Sequence, residues 1–277
     1  YLYDLADRII YLSDGEIQGD YTLPEFQLIP AAEKAKMGLR PLGLGEFSDI
    51  EPASLHSGQG IWKLNHFHFA YKKQPETLSL ENIELPAGNV TAVIGHNGAG
   101  KTTLFNVISG FLKPNSGDIL FQNRNITKLP PYRINRIGIG RTFQDLRLAM
   151  HLTAIENVLL ASSHKMFEHY TEEHLEKAHH ILNRVSLEDK ANACAGEISY
   201  GQQKLLTLAC LLANNAELLL IDEPVAGIDK SNLMKIVDLV SELKAEGKTI
   251  IQIEHHPDYI VATNDVLIKM ENGKIIC

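Results

Sequence analysis

The fold of this chain is decided by the stretch Gly95-His96-Asn97-Gly98-Ala99-Gly100-Lys101-Thr102-Thr103. An apolar, β-branched run at residues 90–94 comes directly before it, and residues 104–108 after it have the pattern of a helix. The spacing G-x-x-x-x-G-K-[ST] between a strand and a helix is typical of a loop that binds a polyphosphate. Its glycines let backbone N–H groups turn inward, and the helix directs its positive end at the same anion.

These features predict nucleotide contacts for all nine residues of this segment, which we call the phosphate loop. We expect the ammonium group of Lys101 to reach the β and γ phosphates, and the Thr102 hydroxyl to bind Mg²⁺. The alternative is a glycine-rich turn that binds nothing. A strand on one side and a helix on the other argue against that alternative.

Composition restricts the partners and the compartment. The chain has 277 residues with 26 basic and 34 acidic side chains, a formal charge of −8 that repels nucleic-acid phosphates, so we expect no nucleic-acid partner. Three cysteines without zinc-ligand or C-x-x-C spacing predict free thiols in a reducing compartment. No apolar run approaches the ~18–20 residues that cross a bilayer, so in a membrane process other subunits would supply the span.

The two ends of the chain resemble each other. Residues 1–19 align without gaps with residues 259–277, and both segments predict a helix, a buried strand, a tight turn with glycine and the start of another strand. We therefore expect residues 1–20 to be the tail of a preceding domain. Residues 21–60 are rich in proline and glycine, which predicts a linker, and residues 61–277 form the second domain.

Within residues 61–277, strands and helices alternate. Strands are predicted at residues 62–71 and 77–85, and helices at residues 152–161 and 171–185. Ser199 and Gln202 have the S-x-x-Q spacing of a capping box, which predicts that a helix begins there. A buried strand at residues 217–221, a helix at 230–245 and a strand at 249–253 follow. This alternation predicts an α/β fold with a parallel sheet covered on both faces.

A carboxylate pair follows the strand at residues 217–221. In a parallel sheet the end of that strand lies beside the phosphate loop, so Asp222 can hold Mg²⁺ through water. Glu223, one residue further, can take a proton from an attacking water molecule. A solvated acidic turn is the alternative, and the phosphate loop upstream argues against it.

Taken together, the phosphate loop, Ser199 to Gln203, the Leu218 to Glu223 run, the Ala226-Gly227-Ile228-Asp229 segment and His255 resemble the ATP-binding subunit of ABC transporters. The resemblance covers about residues 61–277. It implies a P-loop NTPase of the ABC type, with a mostly parallel sheet core, an N-terminal antiparallel β subdomain and an inserted helical subdomain at about residues 145–215. It also implies an Mg²⁺-dependent ATPase with ATP as its nucleotide.

The resemblance implies further site residues. Tyr71 matches the aromatic residue that stacks on adenine, and Gln144 the glutamine that contacts Mg²⁺ and the attacking water. Ser199, Gly201 and Gln202 match the signature helix start that faces the γ-phosphate of a neighbouring subunit, and Asp229 lines that interface. His255 matches the histidine that contacts the γ-phosphate. For Tyr71 and Gln144, a half-buried strand aromatic and a solvated loop glutamine remain as alternatives.

The resemblance also implies partners and a location. An ATPase of this kind works at the cytoplasmic face of the cell membrane with integral membrane permease subunits and a second ABC domain, fused upstream or as a dimer. An extracytoplasmic solute-binding protein would act through the permease.

Different parts of the chain resemble different types of ABC importer. Tyr200 in the signature and residues 141–144, 155–157 and 253–255 resemble importers of branched-chain amino acids, whereas residues 69–71 and 94–100 resemble energy-coupling-factor importers. The transport function is therefore expected to be import of amino acids or another small solute. Two alternatives are a tandem ABC ATPase acting on ribosomes, which the Pro/Gly-rich linker disfavours, and a DNA-repair ATPase. The latter would need a long coiled coil before Ser199.

Overall fold

The computed structural model describes residues 8–13, 16–30, 51–52, 60–72, 76–163 and 170–276. Backbone contacts divide the chain into two units, Tyr1–Phe47 and Ser48–Cys277. Residues 1–7 of the predicted tail and much of the predicted linker lie outside the described residues.

The first unit contains a β-hairpin followed by a short helix. Strands β1 (Arg8–Ser13) and β2 (Glu16–Thr22) pair antiparallel, and helix α1 (Leu23–Leu28) begins directly after β2. The two predicted strands are therefore present, whereas the predicted turn at Gly15 lies outside the described residues. The first strand is not buried as predicted, because Ile10 is 51% exposed. Helix α1 lies within the range predicted as linker and begins at a capping box formed by Thr22 and Glu25.

The second unit contains the remaining strands and helices. Its strands are β3 (Glu51–Pro52), β4 (Gly60–Ala70), β5 (Glu76–Leu80), β6 (Ile83–Pro86), β7 (Val90–Ile94), β8 (Ser116–Phe121), β9 (Arg124–Asn125), β10 (Ile139–Arg141), β11 (Leu218–Asp222), β12 (Thr249–Ile253), β13 (Val266–Glu271) and β14 (Lys274–Ile275). Its α-helices are α2 (Lys101–Ile108), α3 (Pro131–Arg136), α4 (Ala154–Ser162), α5 (Glu172–Arg184), α6 (Tyr200–Leu212), α7 (Lys230–Ala245) and α8 (Pro257–Thr263).

A mainly parallel sheet forms the centre of this unit. Its strand order is β10-β11-β12-β7-β13-β14, with β3 also pairing with β13, and only β14 runs antiparallel to its neighbour. Strand β11 is buried along its whole length. Leu218 and Leu220 pack into one hydrophobic core, and Leu219 and Ile221 into the other, because strand side chains alternate. The predicted sheet covered on both faces is confirmed.

An antiparallel sheet with the order β5-β4-β8-β9 packs on one side of the centre, with β6 also paired to β4. The single strand predicted at residues 77–85 is wrong, because the chain leaves the sheet between β5 and β6. There the carbonyl of Glu81 accepts a hydrogen bond of 3.1 Å from the His66 N–H. His66 lies at a bulge of β4 with φ of 43°, which lets Trp62 and Phe67 face the same core despite their odd spacing.

Helices α4, α5 and α6 lie within the range predicted as a helical subdomain and pack against one another on the other side of the sheet. Helix α6 also packs against α7, which lies outside that range. Two of these helices begin at the capping motifs of their own sequence. Thr153 pairs with Glu156 at the start of α4, and Ser199 pairs with Gln202 at the start of α6. The predicted helix start at Ser199 is therefore confirmed. In the part of the chain that the structure describes, no helix is both long and apolar enough to cross a membrane.

Candidate functional site

The phosphate loop connects the end of β7 to the first turn of α2. Gly98 and Gly100 have φ of 85° and 103°, a region that residues with a Cβ rarely enter. A Cβ atom on Gly95 would lie 2.4 Å from the carbonyl oxygen of Met270, so this position also requires glycine. No side chain caps α2 at Gly100, which leaves its first N–H groups directed at the loop. The backbone thus forms an anion-binding concavity.

Lys101 lies inside this concavity and is 7% exposed. Its ammonium group donates to the carbonyl of Gly95 over 2.6 Å and to that of His96 over 3.0 Å. Burial lowers the pKa of Lys101, while Glu223 and Asp222 act in the opposite direction. A positive charge is therefore held within the loop, where a phosphate group would meet it.

Three parallel strands end beside the loop, and each is followed by a predicted site residue. Gln144 follows β10, Glu223 follows β11 and His255 follows β12. Nε2 of Gln144 lies 3.4 Å from Oε2 of Glu223, and Nε2 of His255 lies 3.9 Å from Oε1 of the same carboxylate. Residues far apart in sequence thus meet around Glu223. A cavity of about 460 Å³ adjoins them, lined by Thr77, Asn97, Gly98, Gly100, Lys101, Thr102, Thr103, Gln144, Glu223 and Ile253.

Asp222 is buried at the end of β11 and lies next to a buried arginine. Nη2 of Arg141 is 3.8 Å from the Asp222 carboxylate, and the Asp222 N–H donates to the Thr142 hydroxyl over 2.9 Å. Burial raises the pKa of Asp222, while Arg141 acts in the opposite direction. Burial also lowers the pKa of Arg141 to about 10. Arg141 in turn donates to Asn106 and Ser109, both over 2.8 Å.

The three predicted metal ligands have the right chemistry for Mg²⁺. Thr102 offers a hydroxyl, Gln144 an amide oxygen and Asp222 a carboxylate, and Mg²⁺ prefers oxygen ligands together with water and phosphate. Thr102 is exposed in the first turn of α2, and the nitrogen of the Gln144 amide is the atom nearest Glu223, which leaves its oxygen available. The donor set therefore fits the metal.

His255 is half exposed and faces two charges of opposite sign. Burial is the largest influence on its pKa and lowers it, Lys101 lowers it further, and Glu223 raises it. The lowered pKa of His255 favours the neutral imidazole, which can donate a hydrogen bond from one ring nitrogen while the other accepts.

Tyr71 lies at the end of β4, next to the phosphate loop. Its hydroxyl is 3.3 Å from Oγ1 of Thr103. Its ring packs edge-on against Phe69, with centroids 4.9 Å apart, and is 38% exposed. The ring is thus supported from within the protein and accessible from outside, as a base-stacking residue must be.

The remaining predicted residues form a second group at the start of α6 and α7. Ser199 and Gln202 hydrogen-bond each other across the capping box. Asp229 accepts from the N–H and the side-chain amide of Asn232, over 3.0 and 2.6 Å. A Cβ atom on Gly201 would lie 2.4 Å from the Asn232 amide nitrogen, so the two helix starts touch closely there. This group contributes no residue to the lining of the cavity beside the phosphate loop.

Three buried charged residues around the site were not predicted as site residues. Arg141 contacts Asp222, the ammonium of Lys204 donates to the Glu223 carbonyl over 2.9 Å, and Glu254 accepts from the backbone of the strand ends. A lysine within the apolar run of α6 and a glutamate directly after the buried strand β12 are the signals that could have revealed two of them.

Comparison with known proteins agrees with this geometry. Residues 78–226 match the family model described as "ABC transporter". A relative from Methanocaldococcus jannaschii, a probable branched-chain amino acid transport ATP-binding protein LivG, is 38% identical over 206 residues, covering 70% of this chain and 80% of that protein.

Two solved structures extend the comparison to the fold. One is the ADP conformation of an ATP-binding cassette of an ABC transporter, with a TM-score of 0.72 and 36% identity, covering 78% of this chain and 89% of that one. The other is a dimeric bacterial ABC transporter cassette, with a TM-score of 0.71 and 28% identity, covering 78% of this chain and 97% of that one.

Proposed function

Because this chain belongs to the ABC transporter family, whose cassettes bind and hydrolyse ATP to power a transporter, we propose that it drives the import of amino acids across a membrane. The observation that carries the ATPase chemistry is the meeting of Gln144, Glu223 and His255 beside the phosphate loop. The names of the relatives support branched-chain amino acids as the transported substrate.

Nucleotide binding is assigned to the phosphate loop and Tyr71. Lys101 and the N–H groups of the loop would hold the β and γ phosphates, and the half-exposed ring of Tyr71 would stack on adenine. Thr102, Gln144 and Asp222 would hold Mg²⁺, which neutralises phosphate charge when bound. The guanidinium group of Arg141, 3.8 Å from the Asp222 carboxylate, would stabilise the charged form of that carboxylate.

Hydrolysis is assigned to Glu223, assisted by its two neighbours. The Glu223 carboxylate accepts a proton from the water that attacks the γ-phosphate. Gln144, 3.4 Å from that carboxylate, orients the same water. His255 in its neutral form donates a hydrogen bond to a γ-phosphate oxygen, while Lys101 balances the charge that develops on the phosphates.

The second group of residues is assigned to the nucleotide of another cassette. Ser199, Gly201 and Gln202 present a helix N-terminus, and Asp229 lies beside it, yet the cavity at the phosphate loop is lined by other residues. A second ABC domain, fused upstream or supplied as a dimer, would bring its own bound ATP to this helix. The dimeric cassette among the similar structures supports such an arrangement.

The hairpin of the first unit supports an upstream fusion. Leu12 pairs with Ile17 and Ser13 with Glu16, as Met270 pairs with Ile275 and Glu271 with Lys274 at the other end of the chain. The two hairpins thus share strand spacing and register. We infer that residues 1–20 are the tail of a preceding ABC domain, that the segment up to about residue 60 is the linker, and that residues 61–277 are the ATPase domain.

The expected partners are two integral membrane permease subunits, with the ATPase peripheral at the cytoplasmic face and an extracytoplasmic solute-binding protein acting through the permease. Purification from detergent extracts should recover the permease subunits together with this chain. Reconstituted in liposomes, the complex should take up labelled leucine only with ATP and Mg²⁺, and the Glu223→Gln complex should not. Recovery on ribosomes without permease subunits would contradict the proposal.

A further inference from the structure

Glu223 has an unusual backbone conformation. Its φ is +47°, in the left-handed region that residues other than glycine, asparagine and aspartate seldom occupy. Such a conformation costs about 1–3 kcal/mol and persists only where surrounding contacts hold it. The direction of the Glu223 side chain, and with it the contacts to Gln144 and His255, depends on this local geometry.

The backbone groups of Glu223 are held on both sides. Its N–H donates to the carbonyl of Ile253 on the neighbouring strand over 2.9 Å. Its carbonyl accepts from the ammonium of Lys204 over 2.9 Å. Lys204 projects from α6 and is 5% exposed, and burial lowers its pKa while Glu223, Glu254 and Asp222 act in the opposite direction. The buried ammonium group of Lys204 on α6 thus holds the backbone carbonyl of Glu223 in place.

Glu254 connects the two segments that carry Glu223 and His255. One carboxylate oxygen accepts from the Val225 N–H over 3.0 Å, two residues after Glu223. The other accepts from the N–H groups of His255 and His256 over 2.6 and 3.0 Å. The residue is 3% exposed. Burying a carboxylate is costly unless it is hydrogen-bonded, and here both oxygens are used to join two backbone segments.

We propose that Lys204 and Glu254 are positioning residues that hold Glu223 in its left-handed conformation and keep its carboxylate aligned with His255 for hydrolysis. Lys204 fixes the carbonyl of Glu223, and Glu254 fixes the segment that follows it to the backbone of His255. The inference rests on the proposed role of Glu223. Lys204 also connects the signature helix α6 to the backbone carbonyl of Glu223, so a movement of α6 would change the backbone position of Glu223 and the direction of its side chain.

The test uses variants that keep side-chain volume. Glu254→Gln has the same shape, but its amide has one acceptor oxygen and turns an NH₂ group toward an N–H of one segment. Lys204→Met removes the donor and keeps most of the apolar stem. We expect kcat for ATP to fall about 100-fold in each, because small misplacements of catalytic groups cost this much, with ATP affinity within about twofold of the parent. Lys204→Arg keeps a donor and should recover most of the lost kcat.

A matched control separates positioning from stability. Thr263 is 6% exposed, and its hydroxyl accepts from Gln252 and Asn264 and donates to the carbonyl of Tyr259. Thr263→Val breaks this buried network away from the catalytic segment and should lower Tm without lowering kcat. If Glu254→Gln and Lys204→Met lower Tm but keep kcat, as expected of the control, their role is structural and the inference is wrong.

Glu223→Gln, measured in parallel, separates this inference from the proposed function. If Glu223→Gln stalls hydrolysis while the Lys204 and Glu254 variants turn over normally, only the positioning role is wrong. If Glu223→Gln hydrolyses ATP at the parental rate, the role proposed for Glu223 is wrong, and the positioning inference falls with it.

Discussion

The phosphate loop and the start of α6 are both helix N-termini suited to an anion, but their surroundings differ. The phosphate loop encloses the ammonium of Lys101 and meets Gln144, Glu223 and His255 at the ends of parallel strands. The start of α6 has an exposed Ser199 and neighbours from α7, and it adds nothing to the lining of the loop's cavity. On the proposed assignment, one chain contributes a hydrolytic site at the phosphate loop and a separate half-site at α6 for the nucleotide of a second cassette.

Glu223→Gln should have the largest effect, because it removes the proposed proton acceptor from the phosphate-loop region. We expect turnover to fall about 10²–10⁴-fold, the range for losing a general base, while ATP binding remains. Single-turnover hydrolysis and equilibrium ATP binding measure the two quantities. Glu173→Gln on the exposed face of α5 is the matched control. Normal hydrolysis by Glu223→Gln would contradict the role of Glu223 as proton acceptor, and with it the distinction between a hydrolytic region and a half-site.

Lys101→Ala should have the next largest effect and act on binding. Loss of a charge-assisted contact of about 1.5–3 kcal/mol should weaken ATP affinity about 10- to 100-fold. Titration with a fluorescent ATP analogue measures it, with Lys177→Ala as the control because Lys177 is an exposed lysine on α5. An unchanged affinity in Lys101→Ala would contradict the assignment of the phosphate loop.

Ser199→Ala should separate the half-site from the complete site. The change removes the cap oxygen of α6 and should destabilise the helix start by about 1 kcal/mol. ATP binding to the monomer should be unchanged, whereas ATP-dependent association of two cassettes should weaken about tenfold. Sedimentation in the Glu223→Gln background measures the association. Equal association with and without the Ser199 hydroxyl would show that this helix start does not serve a neighbour's nucleotide.

Tyr71→Ala should have the smallest effect. An aromatic stacking contact contributes about 0.5–1.5 kcal/mol, so ATP affinity should fall about three- to tenfold, with affinity for inorganic triphosphate unchanged. Tyr71→Phe keeps the ring and loses only the 3.3 Å contact to Thr103, and it should bind ATP like the parent. A loss in Tyr71→Phe as large as in Tyr71→Ala would indicate that the hydroxyl, not the ring, matters.

Much of the fold could be predicted because its signals are local. The helix at 230–245 and the strand at 249–253 have the predicted bounds, and the capping box at Ser199 begins a helix as expected. The break between β5 and β6 could not be predicted in this way. It depends on a hydrogen bond from His66 to Glu81, and neither residue has a pattern that indicates a bulge.

Burial was less predictable than strand position, as the two hairpins demonstrate. Ile10 and Ile268 occupy equivalent places in strands of equal length, yet Ile10 is 51% exposed and Ile268 is 2% exposed. Strand β13 pairs with β7 in the central sheet, whereas β1 pairs with β2. An apolar alternation therefore indicates a strand, but the residues that pack on the face of its sheet decide whether its side chains are covered, as the core around Ile268 does.

By itself, the sequence determined the phosphate loop, the order of strands and helices and the candidates Asp222 and Glu223, because these depend on residue types at short spacing. His255 became a candidate only through the resemblance to ABC ATPases. The tertiary structure decided which of them meet. Parallel strands bring Gln144, Glu223 and His255 to one edge of the sheet and leave Ser199 elsewhere. It also decided what Lys204 and Glu254 do: their apolar sequence surroundings indicate buried charges, but only the folded chain brings Lys204 to the carbonyl of Glu223 and Glu254 to the N–H of Val225.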